Sequence, residues 1–451
     1  MRKNLLLWCS PGFGMVDMWL PVIRKLKKKG DIKIDFVFPE PSSIRLEEKN
    51  STLFNLSEQF ADKVIYKGYS GRWFMAHTLS EARIGIKFSN FDEKISFFAA
   101  KLMKGRASKY FLLKIIGKSI SVISRYIFYI KENFSNIDLF NVGLFKKIDG
   151  VLCDIVVENK TVNKELRNEL QDVHKFSIFH GLNALWVASA FNCEQFVKKR
   201  SDVVVYSMSN LESNGYKKCF GIMEENIVRV GIPRHDKDWI DFVINESHTL
   251  KEQKFEPFVF VIGRPASPYN TVERKKKALK NMHDIICVKY NLKLIVKSHP
   301  KESLDGIDGR IYSEALGLKN YGKTWIYSDR HPFVLGNKAI FAVSFYSGVG
   351  TDMLAINKPT IEYLDLSNLD LYDNNDALRD KHGEPVFELR YAGLVLGASS
   401  KERFSQHVES ILNQREEVIL LLYSKYKEYY NPLECASEVV ASDIYNKLKG
   451  L

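Results

Sequence analysis

The sequence predicts an α/β fold: two doubly wound parallel sheets facing each other across a cleft. Short apolar runs alternate with helical segments along most of the 451 residues, the pattern of parallel strands joined by helical crossovers. The alternation starts afresh after the polar segment Asn245 to Pro257, and successive runs close in polar turns bearing glycine or proline. Ligands of open α/β sheets bind at the carboxyl ends of the strands, so those turns are where function is sought.

In the first half, "NLLLWC" reads as a strand, "SPGFG" as a loop and "MVDMWLPVIRKLKKKG" as an amphipathic helix closed by Gly30. "KIDFVFP", "GVLCDIVV", "KFSIFHG", "DVVVYS" and "NIVRVGIP" follow as strands. In the second half "FVFVIG" is a strand and "TVERKKKALKNMHDIICVKY" a helix, followed by "LKLIVKSHP", "KTWIYS", "AIFAVSF" and "PTIEYLDL". This divides the chain into a first domain over residues 1–248, a second over 249–400, and a helical tail over 401–451 expected to pack back across both. A basic, aromatic segment near 91–134 interrupts the first half. It reads either as a pair of packed helices or as a face lying on an anionic membrane or a lipid-linked acceptor.

The formal net charge is +12, from 66 Lys and Arg against 54 Asp and Glu. That balance favours an anionic partner. The basic residues are scattered with no nucleic-acid-binding signature, so nucleic acid is not expected. The six cysteines lie far apart without CxxC or zinc spacing and read as reduced thiols. The apolar run Leu5 to Cys9 is too short for a signal-peptide core and reads as the first strand. No uncharged stretch approaches the roughly 18–20 residues of a membrane-spanning helix.

Each strand-end turn offers candidates. Gly12 and Gly14 of "SPGFG" let a backbone approach a ligand, or make a tight turn. His180 can bind phosphate or move a proton near neutral pH. Asp154 and Glu158 flank another strand end as a general base or nucleophile. In "GIPRHDKDW", Arg234 can fork onto an anion, and Asp236 is either a helix N-cap or a reacting carboxylate. The Asp236-Lys237-Asp238 spacing is not read as a metal site, because Asp238 falls in a helical turn. In the second half, Lys297, Ser298, His299, Pro300 and Lys301 end a strand. With Ser347, Gly348 and Thr351 before a short helix, they outline a phosphate clamp.

"FHG", "GIPRHD", "SHP" and "FYSGVGTDMLAINKP", in this order from Ile178 to Leu366, resemble the GT-B glycosyltransferases of bacterial surface polysaccharides. That resemblance implies two Rossmann-like domains. One branch is the CDP-glycerol glycerophosphotransferases; Phe179 stands where they have Trp, and "GRPASPYN" replaces their "PTWR". The other is the transferases that use CMP-activated acidic sugars, which "CDIVVENK" resembles more.

The resemblance implies transfer of an acidic sugar, Kdo before sialic acid, from a CMP-sugar to a growing capsule or lipopolysaccharide glycan, either oligosaccharide or lipid-linked. No metal or further cofactor is implied. Gly263, Arg264, Lys297, Ser298, His299, Pro300, Ser347, Gly348 and Thr351 would hold the donor, and Gly12, Gly14 and Arg234 the acceptor. Asp236 or Glu158 would be the nucleophile of a retaining reaction; a carboxylate such as Asp154, or His180, would be the base of an inverting one. A cytoplasmic location at the inner face of the bacterial plasma membrane is expected. Alternatives are a CDP-glycerol-type transferase, a nucleotide-sugar epimerase and a non-catalytic subunit of polysaccharide assembly.

Overall fold

The computed structural model describes residues 2–9, 13–38, 51–66, 110–135, 148–154, 173–181, 201–246, 254–430 (except 303, 305, 371 and 376) and 435–450, with isolated positions 95, 98, 99, 102 and 199. Two parallel sheets form its centre. The first has β1 (Lys3–Trp8), β2 (Ile32–Phe38), β3 (Lys63–Tyr66), β4 (Gly150–Cys153), β5 (His174–Ser177), β6 (Val204–Ser207) and β7 (Ile227–Arg229). Their spatial order is β3-β2-β1-β4-β5-β6-β7. The second has β8 (Phe258–Ile262), β9 (Lys293–Lys297), β10 (Trp325–Tyr327), β11 (Ala342–Ser344), β12 (Thr360–Tyr363) and β13 (Leu396–Ala398), in the order β10-β9-β8-β11-β12-β13.

The strands are continuous apolar runs because both faces are covered. All five residues of "FVFVI" in β8 are buried, as expected for a parallel sheet packed on two sides. Helix α1 (Phe13–Lys28) covers the first sheet with Met15, Trp19, Ile23 and Leu26, spaced along one helical face. Its Trp19 indole also donates to the Cys153 carbonyl at 3.2 Å, tying the helix to the end of β4. Among the described residues this half also has α2 (Ser51–Phe60) and α3 (Phe111–Ser135), with α4 (Asn210–Phe220) between β6 and β7 and α5 (Lys237–Asn245) after β7. In the second half α6 (Val272–Met282) runs into a π-helical turn at His283–Lys289, and α7 (Ile307–Leu316), α8 (Pro332–Lys338), α9 (Val349–Ala355) and α10 (Glu388–Tyr391) follow.

The tail forms α11 (Lys401–Asn413), α12 (Arg415–Tyr430) and α13 (Ala436–Lys449). Helix α11 packs on β12 and β13, α12 on α9 and α4, and α13 on α1. The tail thus leads from the second sheet back to the first. Asp443 of α13 accepts a hydrogen bond from the Tyr206 hydroxyl at 2.7 Å.

Strand order places one reversal between β1 and β4 and the other between β8 and β11. At such a switch point neighbouring crossovers leave to opposite sides and open a crevice. The residues that follow β1, β4 and β5 therefore meet at one crevice, and those that follow β8, β9 and β11 at the other. Cys9, Cys153 and Cys287 are buried free thiols, whereas Cys435 is exposed.

Candidate functional site

At the switch point of the first sheet, Gly14, Asp154 and His180 come together. Asp154 follows β4 and hydrogen-bonds His180 Nδ1, which follows β5. Gly14 lies in the first turn of α1, and a Cβ there would stand 3.0 Å from His180 Cδ2. A side chain at this position would need the imidazole to shift by a few tenths of an ångström. Burial opposes protonation of His180, but the charge of Asp154 and its hydrogen bond outweigh that and raise the pKa above the ordinary histidine value. The charges of Arg234 and Lys301 act in the opposite sense on the same ring. Lys301 follows β9, so the second sheet presents a cation to this dyad.

The wall from the second sheet is built on a buried network. After β9, the backbone N–H of His299 donates to Glu302 Oε2 at 2.6 Å. Glu302 Oε1 accepts from Lys275 Nζ at 2.5 Å and from the Tyr312 hydroxyl at 2.9 Å. Lys275 also reaches Asp308 at 3.3 Å, and all three charged side chains are fully buried. The turn is closed by the Lys301 N–H donating to His299 Nδ1 at 3.1 Å, and Lys297 Nζ donates to the Asp329 carbonyl at 2.8 Å. Pro300 is exposed at the tip beside half-buried Ser298. Gly263 closes β8 against this network: a Cβ there would lie 2.4 Å from Glu302 Oε2 and 2.8 Å from the Lys297 carbonyl oxygen.

Arg264 is fixed at the second switch point. Its Nε donates to the Tyr269 hydroxyl at 2.8 Å, and its guanidinium carbon lies 5.4 Å from the Tyr346 ring centre. Tyr346 packs against Phe387, with ring centres 4.3 Å apart, and its hydroxyl donates to Glu388 at 2.6 Å. Partial desolvation, then the Arg264 charge, lowers the pKa of Lys301. Arg264 and Lys301 therefore share one region of positive potential.

The turn before α9 differs from the expected clamp. Its N–H groups are used within the turn: Val349 donates to Ser347 Oγ at 3.3 Å, Gly350 to the Ser347 carbonyl at 3.0 Å and Thr351 to the Gly348 carbonyl at 2.9 Å. Ser347 and Gly348 remain partly exposed, but the Thr351 side chain is completely buried and cannot meet a ligand in the cleft.

Two motif residues have structural partners in place of the expected ones. Arg234 is buried; Nε donates to Asp352 Oδ1 at 2.9 Å and Nη2 to Asp352 Oδ2 at 3.1 Å, and Nη1 lies 3.5 Å from Asp17. Its fork is spent on two carboxylates, so it is not presented to an acceptor. Asp236 is also buried and accepts from the Ala436 N–H at 2.8 Å, the Ser437 N–H at 2.7 Å and the Ser437 hydroxyl. It caps α13, which removes it from the position of a nucleophile. Gly12 and Glu158 lie outside the described residues.

Sequence reading missed Asp17, His331, Asp352, Lys275 and Glu302. His331 caps α8 by accepting from the Phe333 N–H at 3.2 Å, and its Nε2 meets Asp17 Oδ1 at 3.1 Å. His235 Nε2 donates to Asp352 at 2.7 Å while its Nδ1 accepts from the Tyr426 hydroxyl at 2.7 Å. Desolvation lowers its pKa and keeps it neutral. Asp17 had a legible signal: an acid on the apolar face of α1 needs a partner. Among the described residues no group of three or more His, Cys, Asp or Glu could hold a metal ion.

The sequence matches no protein-family model. It also matches no curated protein sequence. Solved structures do resemble it. The S. aureus MnaA–UDP co-structure is 13% identical, covers 100% of this chain and 98% of its own, and gives a TM-score of 0.55. UDP-GlcNAc 2-epimerase from Neisseria meningitidis, bound to UDP-GlcNAc, is 14% identical over 99% and 100%, with a TM-score of 0.51. The wall teichoic acid polymerase TagF, in a structure soaked with CDPG, is 9% identical over 99% and 89%, with a TM-score of 0.54. The chain has the GT-B architecture of two Rossmann-like domains. At these identities the likeness is one of fold, and chemistry has to be argued from the site.

Proposed function

We propose that the chain is an enzyme that transfers a sugar or polyol phosphate from a nucleotide-activated donor to an acceptor hydroxyl. The observation that carries this reading is the His180–Asp154 dyad at one switch point, with Lys301 and Arg264 at the other. Asp154 occupies Nδ1, which leaves Nε2 to take the acceptor's proton. As the acceptor oxygen bonds to the donor's reacting carbon or phosphorus, the bond to the bridging phosphate oxygen breaks and the nucleotide leaves. Lys301 and Arg264 stabilise the charge gathering on that phosphate, a role fixed cations perform well in a crevice of reduced dielectric. Gly263, Lys297, Ser298, His299, Pro300, Ser347 and Gly348 would complete the donor wall. Gly14, beside His180, would line the acceptor side.

The likenesses favour a diphosphate-linked donor over the CMP-Kdo or CMP-sialic acid implied by motif order. The neighbours described above carry UDP, UDP-GlcNAc or CDPG. A second reading, epimerisation of a nucleotide sugar, is favoured by the end-to-end match with 2-epimerases.

The test is incubation with CDP-glycerol, UDP-GlcNAc, CMP-Kdo or CMP-sialic acid, each with a bacterial envelope extract as acceptor source, following released nucleotide. Transfer requires nucleotide release that depends on extract and is abolished in His180→Ala. A proton NMR signal of the 2-epimer from UDP-GlcNAc alone gives the epimerase reading instead. Turnover untouched by His180→Ala sinks the dyad as the acid–base group in either case.

A further inference from the structure

We propose that helix α3 is a docking face for an anionic phospholipid surface, on which it lies flat. The first part of the helix exposes large apolar side chains: Phe111 76%, Leu112 73%, Val122 65% and Ile123 57%, with Ile115 and Ile116 close behind. On an ideal wheel these six positions, with Ser119 among them, fill one unbroken arc of about 140°. The covered side of the helix is a different, narrower one, where Gly117 and Ser121 are buried and Leu113 and Ile120 half-buried. The exposed arc is therefore separate from the covered side of the helix.

Charge identifies the occupant. Lys114 and Lys118, both exposed, line one edge of the arc, and no Asp or Glu occurs from Tyr110 to Ile123. A second copy seated on this face would bring no carboxylate from the same stretch to meet these ammonium groups. Lipid phosphates meet them, while the apolar arc enters the acyl boundary, the arrangement of an interfacial amphipathic helix. The length suits lying flat: Tyr110 to Ile123 extends about 20 Å. No described helix is long and apolar enough to cross a membrane. This inference is independent of the chemistry proposed above.

Flotation of the full chain with vesicles of phosphatidylcholine and phosphatidylglycerol, against phosphatidylcholine alone, tests it. Binding is expected to the anionic vesicles, weakening with salt. Lys114→Gln and Lys118→Gln should each lower the partition coefficient about fivefold. Ile115→Glu with Val122→Glu should abolish binding without changing the circular dichroism spectrum. A fluorophore on Val122→Cys should shift to the blue on adding anionic vesicles, a readout that does not depend on the glutamate variant folding. No binding to anionic vesicles at low salt overturns the proposal, as does binding that survives the glutamate pair. A vesicle-free dimer dissolved by the same pair would also overturn it, assigning the face to a second copy.

Discussion

Arg234 and Asp352, 118 residues apart, form a buried two-pronged ion pair that joins the turn after the first sheet to a helix of the second. Asp17 and His331 make a second crossing beside it, at 3.1 Å. Burial raises the pKa of Asp17, but His331 and then Arg234 outweigh it and hold the carboxyl below its usual range. Removing one partner of such a pair strands a charge without solvent, at a cost of about 3–5 kcal/mol. Arg234→Met should lower unfolding stability by that order in urea titration. Asp352→Asn should cost less, because its amide still accepts one hydrogen bond. In a double-mutant cycle the coupling should exceed ~1 kcal/mol; strict additivity would show that the pair is not coupled.

The His180–Asp154 contact predicts a titration. Because the folded pKa of His180 is raised, its contribution to stability is present below the free imidazole value of about 6.5. That contribution is lost as pH rises through the folded value. As a base the ring works only once deprotonated, so the acid limb of the rate profile should lie above the ordinary histidine range. Asp154→Asn should move both the imidazole NMR titration and that limb to lower pH and slow turnover. A limb that stays in place while the NMR titration moves would show that another group acts as the base.

How much of this was legible in the sequence depends on the range of the interactions. The strands could be read because both faces of a parallel sheet are apolar, so "FVFVI" and "LIV" stand out from their neighbours. Gly14, Asp154 and His180 could be read as strand-end residues, although nothing local says that they touch. Asp236 was open between helix cap and reacting carboxylate. The structure decides for a cap, but on a helix 200 residues later in the chain. Local spacing offered only the helix that starts at Lys237. Lys275 was concealed in the run "RKKKALK", where four lysines look alike until the helix has a buried side.

Gly263 predicts how the His299 turn is supported. A Cβ at this position would press on Glu302 Oε2 and on the Lys297 carbonyl, and the second of these is backbone with little room to yield. Gly263→Ala should cost about 1–3 kcal/mol by overpacking and shift the turn that carries His299 and Lys301. Calorimetry with UDP and CDP should show weaker binding than in the parent. Glu302→Gln should weaken binding too, since Lys275 then meets one carboxylate, Asp308, in place of two. Unchanged affinity in both variants would detach the turn from nucleotide recognition.

Asp236 separates a cap from a nucleophile. Its carboxyl holds two backbone N–H groups and a hydroxyl at the start of α13, yet burial outweighs these donors and raises its pKa to about 6. An unfolded aspartate titrates near about 3.9. The folded value is the higher, so protonation favours the fold, and stability should decline as pH rises from about 4 through about 6. Asp236→Asn keeps an acceptor for the helix and removes the titration, so it should flatten that decline. Asp236→Ala strips the cap and should cost about 1–2 kcal/mol at any pH in that window. Neither variant should change which donor is used, and mass spectrometry after donor exposure should find no sugar on Asp236. An adduct there would require α13 to release the carboxylate during turnover, and would restore to Asp236 the role of nucleophile that the cap argues against.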